Sequence, residues 1–267
     1  MGVDFAKLRN KANKELKKVS KWFSENKLTL NISKSKFMLI KRGNKKSNDN
    51  LNFVLKFNGK KIERCQFYKY LGIYIDENLN WKKHVSYLCE KLSKICGIFA
   101  KLRHCCNREL MRVIYFALVD SHLQYCNIIW GSASEVVLKP LIKLQEKVIR
   151  IIYFAQYDHS DMDGIFKELR LLKLEQLNKL TKAKFVYKYK NQKLPSSFDK
   201  FLTANTGSRY ALRSQVTQEF KCIWGKTVFG MKRIQYEGAQ LWNAIPLDIR
   251  NAKSLREFAK KFKSMFF

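Results

Sequence analysis

From Trp81 to Leu102 the apolar residues Trp81, Val85, Leu88, Leu92, Ile95, Phe99 and Leu102 follow one another at steps that alternate four and three without a break. That spacing lines one stripe of an α-helix, so this stretch has to form a long helix packed along its length on a neighbour. Asn80 stands where an N-cap is expected, with a side-chain oxygen placed to accept from a free amide of the first turn. The residues before it follow another rule. Cys65–Asp76 is crowded with aromatic and β-branched side chains, which suit a pleated, partly buried surface. A sheet therefore hands the chain to a helix across the short turn Glu77-Asn78-Leu79-Asn80.

The helix is also basic. Its other faces carry Lys82, Lys83, Lys91, Lys94 and Lys101, with Glu90 as the one acid among them. The whole chain shares this bias, with 53 Lys+Arg against 22 Asp+Glu in 267 residues and a net charge of +31. Like charge at that density opposes compaction unless a polyanion neutralises it, so nucleic acid is the first candidate partner and an anionic membrane the second. Residues 1–104 hold 25 Lys+Arg and 8 Asp+Glu, and the rest of the chain 28 and 14, which excludes a basic tail on a neutral domain. With 46% hydrophobic and 13% aromatic residues the chain is no disordered segment. No apolar run approaches the length of a membrane span, so no membrane is expected among the partners. Seven cysteines, an odd count, and a charged amphipathic N-terminus in place of a signal sequence predict an intracellular protein of the nucleus or cytoplasm.

Residues 5–26 place Leu8, Ala12, Leu16, Val19 and Phe23 on one stripe, widened by Trp22, and predict a helix that ends at a left-handed Asn26-Lys27. Strands are predicted over 35–40 and 51–57, with a polar hairpin loop over 41–50. Asn58-Gly59 is the strongest short hairpin signal, and Lys60–Glu63 starts the return strand towards Tyr74. Beyond residue 80 the pattern predicts helices over 81–103, 108–119, 121–129, 134–154, 161–170 and 173–190. Pro140 implies a kink or a late start in the fourth. Residues 196–233 read as irregular, with room for a short strand. Ser254 and Glu257 have capping-box spacing ahead of Phe258, Phe262 and Phe266. The fold class is α+β and mostly helical: a helix and a small antiparallel sheet over 1–79, a basic helical region over 80–155, and a C-terminal helical region over 156–267.

Three blocks in order carry a resemblance. The first is Trp22-Phe23-Ser24-Glu25-Asn26-Lys27-Leu28-Thr29-Leu30-Asn31 with Lys34-Ser35. The second is Tyr70-Leu71-Gly72-Ile73 with Leu79, Trp81 and His84. The third is Leu241-Trp242-Asn243-Ala244-Ile245-Pro246 with Phe258. Between them lie Tyr115, Leu118, Tyr125, Trp130-Gly131, Gln145 and Arg150. Together they resemble the reverse transcriptases of non-LTR retrotransposons of the LINE and jockey-like kind, over nearly the whole chain. The resemblance implies the end of the palm and the primer-grip strands over 1–79, a thumb-like bundle over 80–155 and the element's C-terminal region after it. It also implies template–primer binding, a Mg requirement in an intact enzyme, and a partner in the missing upstream part of the polymerase.

The front of such an enzyme is missing. Nucleotidyl transfer needs acids converging on two divalent ions, and this sequence has no Asp-Asp pair. Asp161-Met162-Asp163 comes nearest, and capping of the helix beginning near Gly164 is the simpler role for it. No catalytic residue and no metal ligand is therefore expected, and the chain alone should not polymerise DNA. Lys34 matches the family's Asn-x-x-Lys-Ser/Thr position, where a lysine can protonate departing pyrophosphate in an intact enzyme; as a plain surface lysine it would do nothing. Lys69, Tyr70 and Gly72 match the primer grip, Gly72 by letting another backbone approach, while Leu71 and Ile73 read as core. Lys82, Lys83, Lys91, Lys94 and Lys101 would face a duplex of RNA, DNA or their hybrid.

Other clusters have plainer readings. Lys182, Lys184, Lys188, Lys190 and Lys193 alternate with Phe185, Tyr187 and Tyr189, which suits either a single strand or an amphipathic helix, the second being favoured. His122, Cys126, Cys105 and Cys106 lack the spacing of a zinc site, and buried thiols are expected. The sequence thus supports a catalytically incomplete reverse-transcriptase fragment that binds nucleic acid electrostatically. The alternatives are a non-catalytic nucleic-acid-binding or scaffold protein derived from such an element, and a decayed product with no function. An interrupted palm should expose an edge strand and an apolar face.

Overall fold

Asn13 joins the first helix to the first hairpin. Its side chain donates to the Val54 carbonyl at 3.3 Å and accepts from the Lys56 amide at 2.9 Å. The computed structural model describes residues 5–40, 53–154, 161–205, 219–225 and 227–267. Helix α1 (Phe5–Glu25) follows the predicted stripe, and its left-handed terminus falls on Lys27, one residue after Asn26. Leu16 and Phe23 pack against a buried cluster of Leu39, Phe53, Leu55, Phe57 and Ile62.

The strands are shorter than their sequences predict. β1 (Lys36–Phe37) pairs in parallel with β4 (Glu63–Arg64). β2 (Lys56–Phe57) pairs antiparallel with β3 (Lys60–Lys61) across Asn58 and Gly59, both at positive φ as a type I′ hairpin requires. β5 (Phe67–Tyr70) pairs antiparallel with β6 (Ile73–Asp76). Two of the three ladders are antiparallel as expected, and the parallel one arises because Lys60–Arg64 turns back alongside Lys36. The predicted loop over 41–50 lies outside the described residues.

Among the described residues the remainder is helical, and the stripe from Trp81 to Phe99 is the buried face of α2 (Lys82–Leu102). There follow α3 (Arg108–Tyr115), a π-type turn at Phe116–Asp120, α4 (Ser121–Gln124) and α5 (Asn127–Trp130). Cys126, at φ 48°, breaks the predicted 121–129 helix in two. α6 (Glu135–Tyr153) runs through Pro140 with no late start, and Val136, whose carbonyl loses its helical donor there, is 82% exposed. α7 (Met162–Glu168) and α8 (Leu174–Lys190) match prediction.

After a bridge between Ala204 and Phe220 come α9 (Val228–Met231), α10 (Ile234–Ala244), α11 (Leu247–Arg250) and α12 (Leu255–Ser264). The sequence pattern gave no warning of α10 and α11. Half of the capping box forms: the Ser254 side chain accepts from the Glu257 amide, while Glu257 reaches back one residue further, to the Lys253 amide. The chain divides into two compact units, 1–84 and 85–267.

Two buried polar devices organise the second unit. Gln145 donates to the Tyr115 hydroxyl at 2.8 Å and the Leu172 carbonyl at 2.9 Å, and accepts the Leu174 amide at 3.0 Å, so one side chain fixes α3, α6 and the start of α8. Trp242, fully buried, donates to Glu219 at 2.7 Å and lies 5.7 Å from Phe258, which in turn stacks on Tyr187 at 4.7 Å. Asn243 pairs both backbone groups of Phe220. The block Leu241–Pro246 is therefore structural in this chain.

Candidate nucleic-acid interface

Asp76, buried at the end of β6, accepts from the amides of Asn78 at 3.1 Å, Asn80 at 3.2 Å and Trp81 at 2.9 Å. Three bonds to one carboxylate hold a turn in which Leu79 and Trp81 both have positive φ. Asn80 then accepts from the Lys82 amide at 2.9 Å, the capping contact expected of it. His84 is buried, its Nδ1 accepts from the Tyr74 amide at 3.4 Å, and burial pushes its pKa down to about 4. The start of α2 is thus fixed to β6 by Asp76, Asn80, Trp81 and His84, of which Asp76 alone had no place in the sequence pattern. An acid directly after a strand and a few residues before a helix was the available signal for Asp76.

The outward side of α2 follows from its geometry. At roughly 100° per residue, Lys83, Glu90, Lys94, Gly97 and Lys101 fall within a band about 60° wide and about 27 Å long. All five residues are exposed. Lys82 and Lys91 lie on opposite flanks of that band, and Lys91 is half-buried, so the five lysines do not form one row. Lys83 sits over the Phe67 ring at 5.3 Å and Lys91 over Tyr87 at 5.0 Å. None of the five forms an ion pair with a carboxylate among the described residues. A Cβ built on Gly97 meets nothing within 4 Å, so packing inside the chain does not require this glycine.

The primer-grip-like hairpin departs from expectation at its tip. Leu71, expected in the core, is 72% exposed, because it and Gly72 form the turn of the hairpin at φ 44° and 84°. Gly72 serves the turn, where a left-handed residue is needed. Ile73 is buried as expected. Lys69 lies over its cross-strand partner Tyr74 at 5.6 Å, and Tyr70 is exposed. All four residues of β5 are exposed, three of them aromatic. Lys34 is exposed on a turn held by Asn31, and the Tyr68 hydroxyl donates to the Lys34 carbonyl at 3.3 Å. The structure so brings Lys34 beside the hairpin that carries Lys69 and Tyr70.

The basic–aromatic stretch on α8 resolves to the packing role. Lys182 pairs with Glu237, and Lys190 pairs with Glu219 at 2.8 Å. Phe185 packs edge-on to Phe198 and Phe201, Tyr187 is buried, and the single Tyr189 hydroxyl proton is shared between the carbonyls of Leu202 at 2.8 Å and Asp199 at 3.0 Å. Burial, with Lys263 and Lys188 nearby, lowers the pKa of Lys184.

The thiols are less buried than expected: Cys105 is exposed, and Cys106 and Cys126 are half-buried. Asp161 caps α7 by accepting the Asp163 amide at 3.0 Å, and Asp163 is paired with Lys173. Among the described residues no three His, Cys, Asp or Glu side chains converge. The acids among the described residues do not offer the paired carboxylates that the two-ion chemistry implied by the resemblance would need. Nor, among the described residues, is any helix long and apolar enough to cross a membrane.

No protein-family model, no curated protein and no solved structure matches the chain.

Proposed function

We propose that this chain binds nucleic acid as a catalytically incomplete, reverse-transcriptase-like fragment, holding a template–primer duplex by its phosphates along the outer face of α2. The observation that carries the reading is the row of Lys83, Lys94 and Lys101, exposed, without carboxylate partners among the described residues, and anchored at one end by the Asp76 turn. Phosphate contacts of this kind position a duplex without reading its sequence. The absence of an Asp-Asp pair confines the role to binding, with polymerisation left to an upstream part of such an enzyme.

The test is binding of the purified protein to an RNA–DNA hybrid, duplex DNA and single strands across a salt series. Tight binding that weakens steeply with salt and favours the hybrid is expected. Equal affinity for all duplexes would favour a general binding or scaffold role. Weak binding at low salt, despite a net charge of +31, would end the proposal.

A further inference from the structure

A cleft of about 820 Å³ in the second unit shares no residue with the basic face of α2. Its charged walls come from several separate segments, among them Arg112 and Asp120 on α3 and the turn after it, Lys167 and Glu168 on α7, and Lys260 and Lys263 on α12, with Leu177 of α8 also lining it. The π-type turn explains how the first wall forms. Residues four apart drift round an ordinary helix by about 40° per step, and a wider turn cancels part of that drift. Arg112, Phe116, Asp120 and Gln124 consequently all line the same cleft.

The groups inside are fixed, and their chemistry is specific. Arg112 Nε donates to the Leu169 carbonyl at 2.6 Å while its guanidinium lies 5.1 Å from the centre of the Phe116 ring. Phe116 is 38% exposed. Asp120 is buried and accepts from Gln124. Burial raises its pKa, against the pull of the Gln124 hydrogen bond and of Lys263 and Lys184. Several cations, two exposed rings (Phe116 and Phe267), the exposed Glu168 already paired with Arg108, and one buried carboxylate, Asp120, suit a ligand that has an anionic end, a flat apolar body and a polar edge bearing donors. A nucleotide has all three, and the volume falls within the range of ordinary ligand sites. Guanine alone among the common bases sets two adjacent N–H donors on one edge, which one carboxylate can accept together.

We propose that this cleft receives a guanine nucleotide, with its phosphate on Lys167, Lys260 and Lys263, its base against Phe116, and Asp120 accepting the two donors of the base edge. The site stands apart from α2 and does not depend on the reading of that helix.

Calorimetric titration of the full chain with GMP, AMP, guanosine and inorganic phosphate tests it. GMP should saturate a single site and bind roughly tenfold or more tightly than AMP, guanosine or phosphate. Asp120→Asn should reduce GMP to the level of AMP while leaving AMP unchanged. Lys263→Met should weaken GMP and AMP alike, by roughly tenfold. Equal affinity for GMP and AMP, binding no tighter than phosphate, or no saturable binding would each overturn the proposal. The triple variant Lys83→Glu/Lys94→Glu/Lys101→Glu should bind GMP as the parent does. A chain that binds GMP but not hybrids overturns the α2 reading alone, and a chain that binds hybrids but not GMP overturns this one alone.

Discussion

Helices α2 and α8 have the same formal charge content, five lysines and one glutamate each, and put it to different uses. On α8, Lys182 and Lys190 are paired with Glu237 and Glu219, and Lys184 is held in a partly buried place that lowers its pKa. On α2 no lysine has a carboxylate partner among the described residues. The partners of the α8 lysines lie far along the chain, so a count of charge within either helix cannot tell the two apart. What separates them is whether the surrounding fold supplies acids. Where it does, lysine stabilises the protein; where it does not, lysine remains available for phosphate.

The largest effect expected from that contrast is on binding. Charge reversal at Lys83, Lys94 and Lys101 should lower affinity for an RNA–DNA hybrid by about 10²–10³-fold near 0.1 M salt and reduce the salt slope by about three. Its melting temperature should stay near that of the parent. A matching fall in stability would mean that these lysines hold the fold and that the contrast with α8 is false.

Acid separates the helices next. α8 has no histidine, whereas the first turn of α2 contains His84. The folded imidazole gains its proton only near pH 4, while an unfolded one does so near the ordinary value of 6.5. Above 6.5 both states are neutral and the contribution is fully present. As pH falls from 6.5 towards 4 the unfolded chain takes up a proton that the folded chain refuses, and about 3 kcal/mol is lost by the lower limit. Denaturant melts across this window should show the fall, and His84→Gln should flatten it.

Much of this arrangement was legible in the sequence, and the failures have physical causes. The stripe on α2, the Asn58-Gly59 hairpin and the Ser254 N-cap are local patterns, set by neighbours within a few residues, and each formed as predicted. Leu71 was misjudged because an aromatic-rich run hid a two-residue turn, in which Leu71 takes the left-handed conformation beside Gly72. α10 was missed because its buried face is centred on Gly238, Ala239 and Trp242, two of which are too small to show as an apolar stripe. Of the candidate interface, the lysines could be named but not sorted, since Glu219 and Glu237 reach α8 only through the tertiary fold. The cleft was invisible for the same reason, its walls being brought together from α3, α7 and α12, far apart along the chain.

Two substitutions probe the α8 side. Gln145→Leu removes the group that accepts the first amide of α8 and leaves the Leu174 amide and Leu172 carbonyl without that partner, so a loss of about 2–3 kcal/mol is expected in equilibrium unfolding. Lys182→Met leaves Glu237 without its cation and should cost about 1–2 kcal/mol, with the salt slope of nucleic-acid binding unchanged. A reduced slope in Lys182→Met would mean that α8 also meets phosphate.

Gly97→Ala gives the smallest effect and the sharpest discrimination. Glycine within a helix is about 0.8–1 kcal/mol less favourable than alanine, and nothing in the chain lies within 4 Å of the added methyl group. The substitution should therefore raise stability by about 0.5–1 kcal/mol, measured as a higher denaturation midpoint. Yet Gly97 lies between Lys94 and Lys101 on the same outer band, where a bound phosphodiester backbone would come close to the helix. Steric contact there would cost affinity while the free protein gains stability, a pairing that a purely structural glycine could not produce. If Gly97→Ala is stabilising and binds the hybrid as tightly as the parent, the duplex contacts only the lysine tips and stands off the helix surface. If binding falls by several-fold as stability rises, the helix backbone itself is part of the interface.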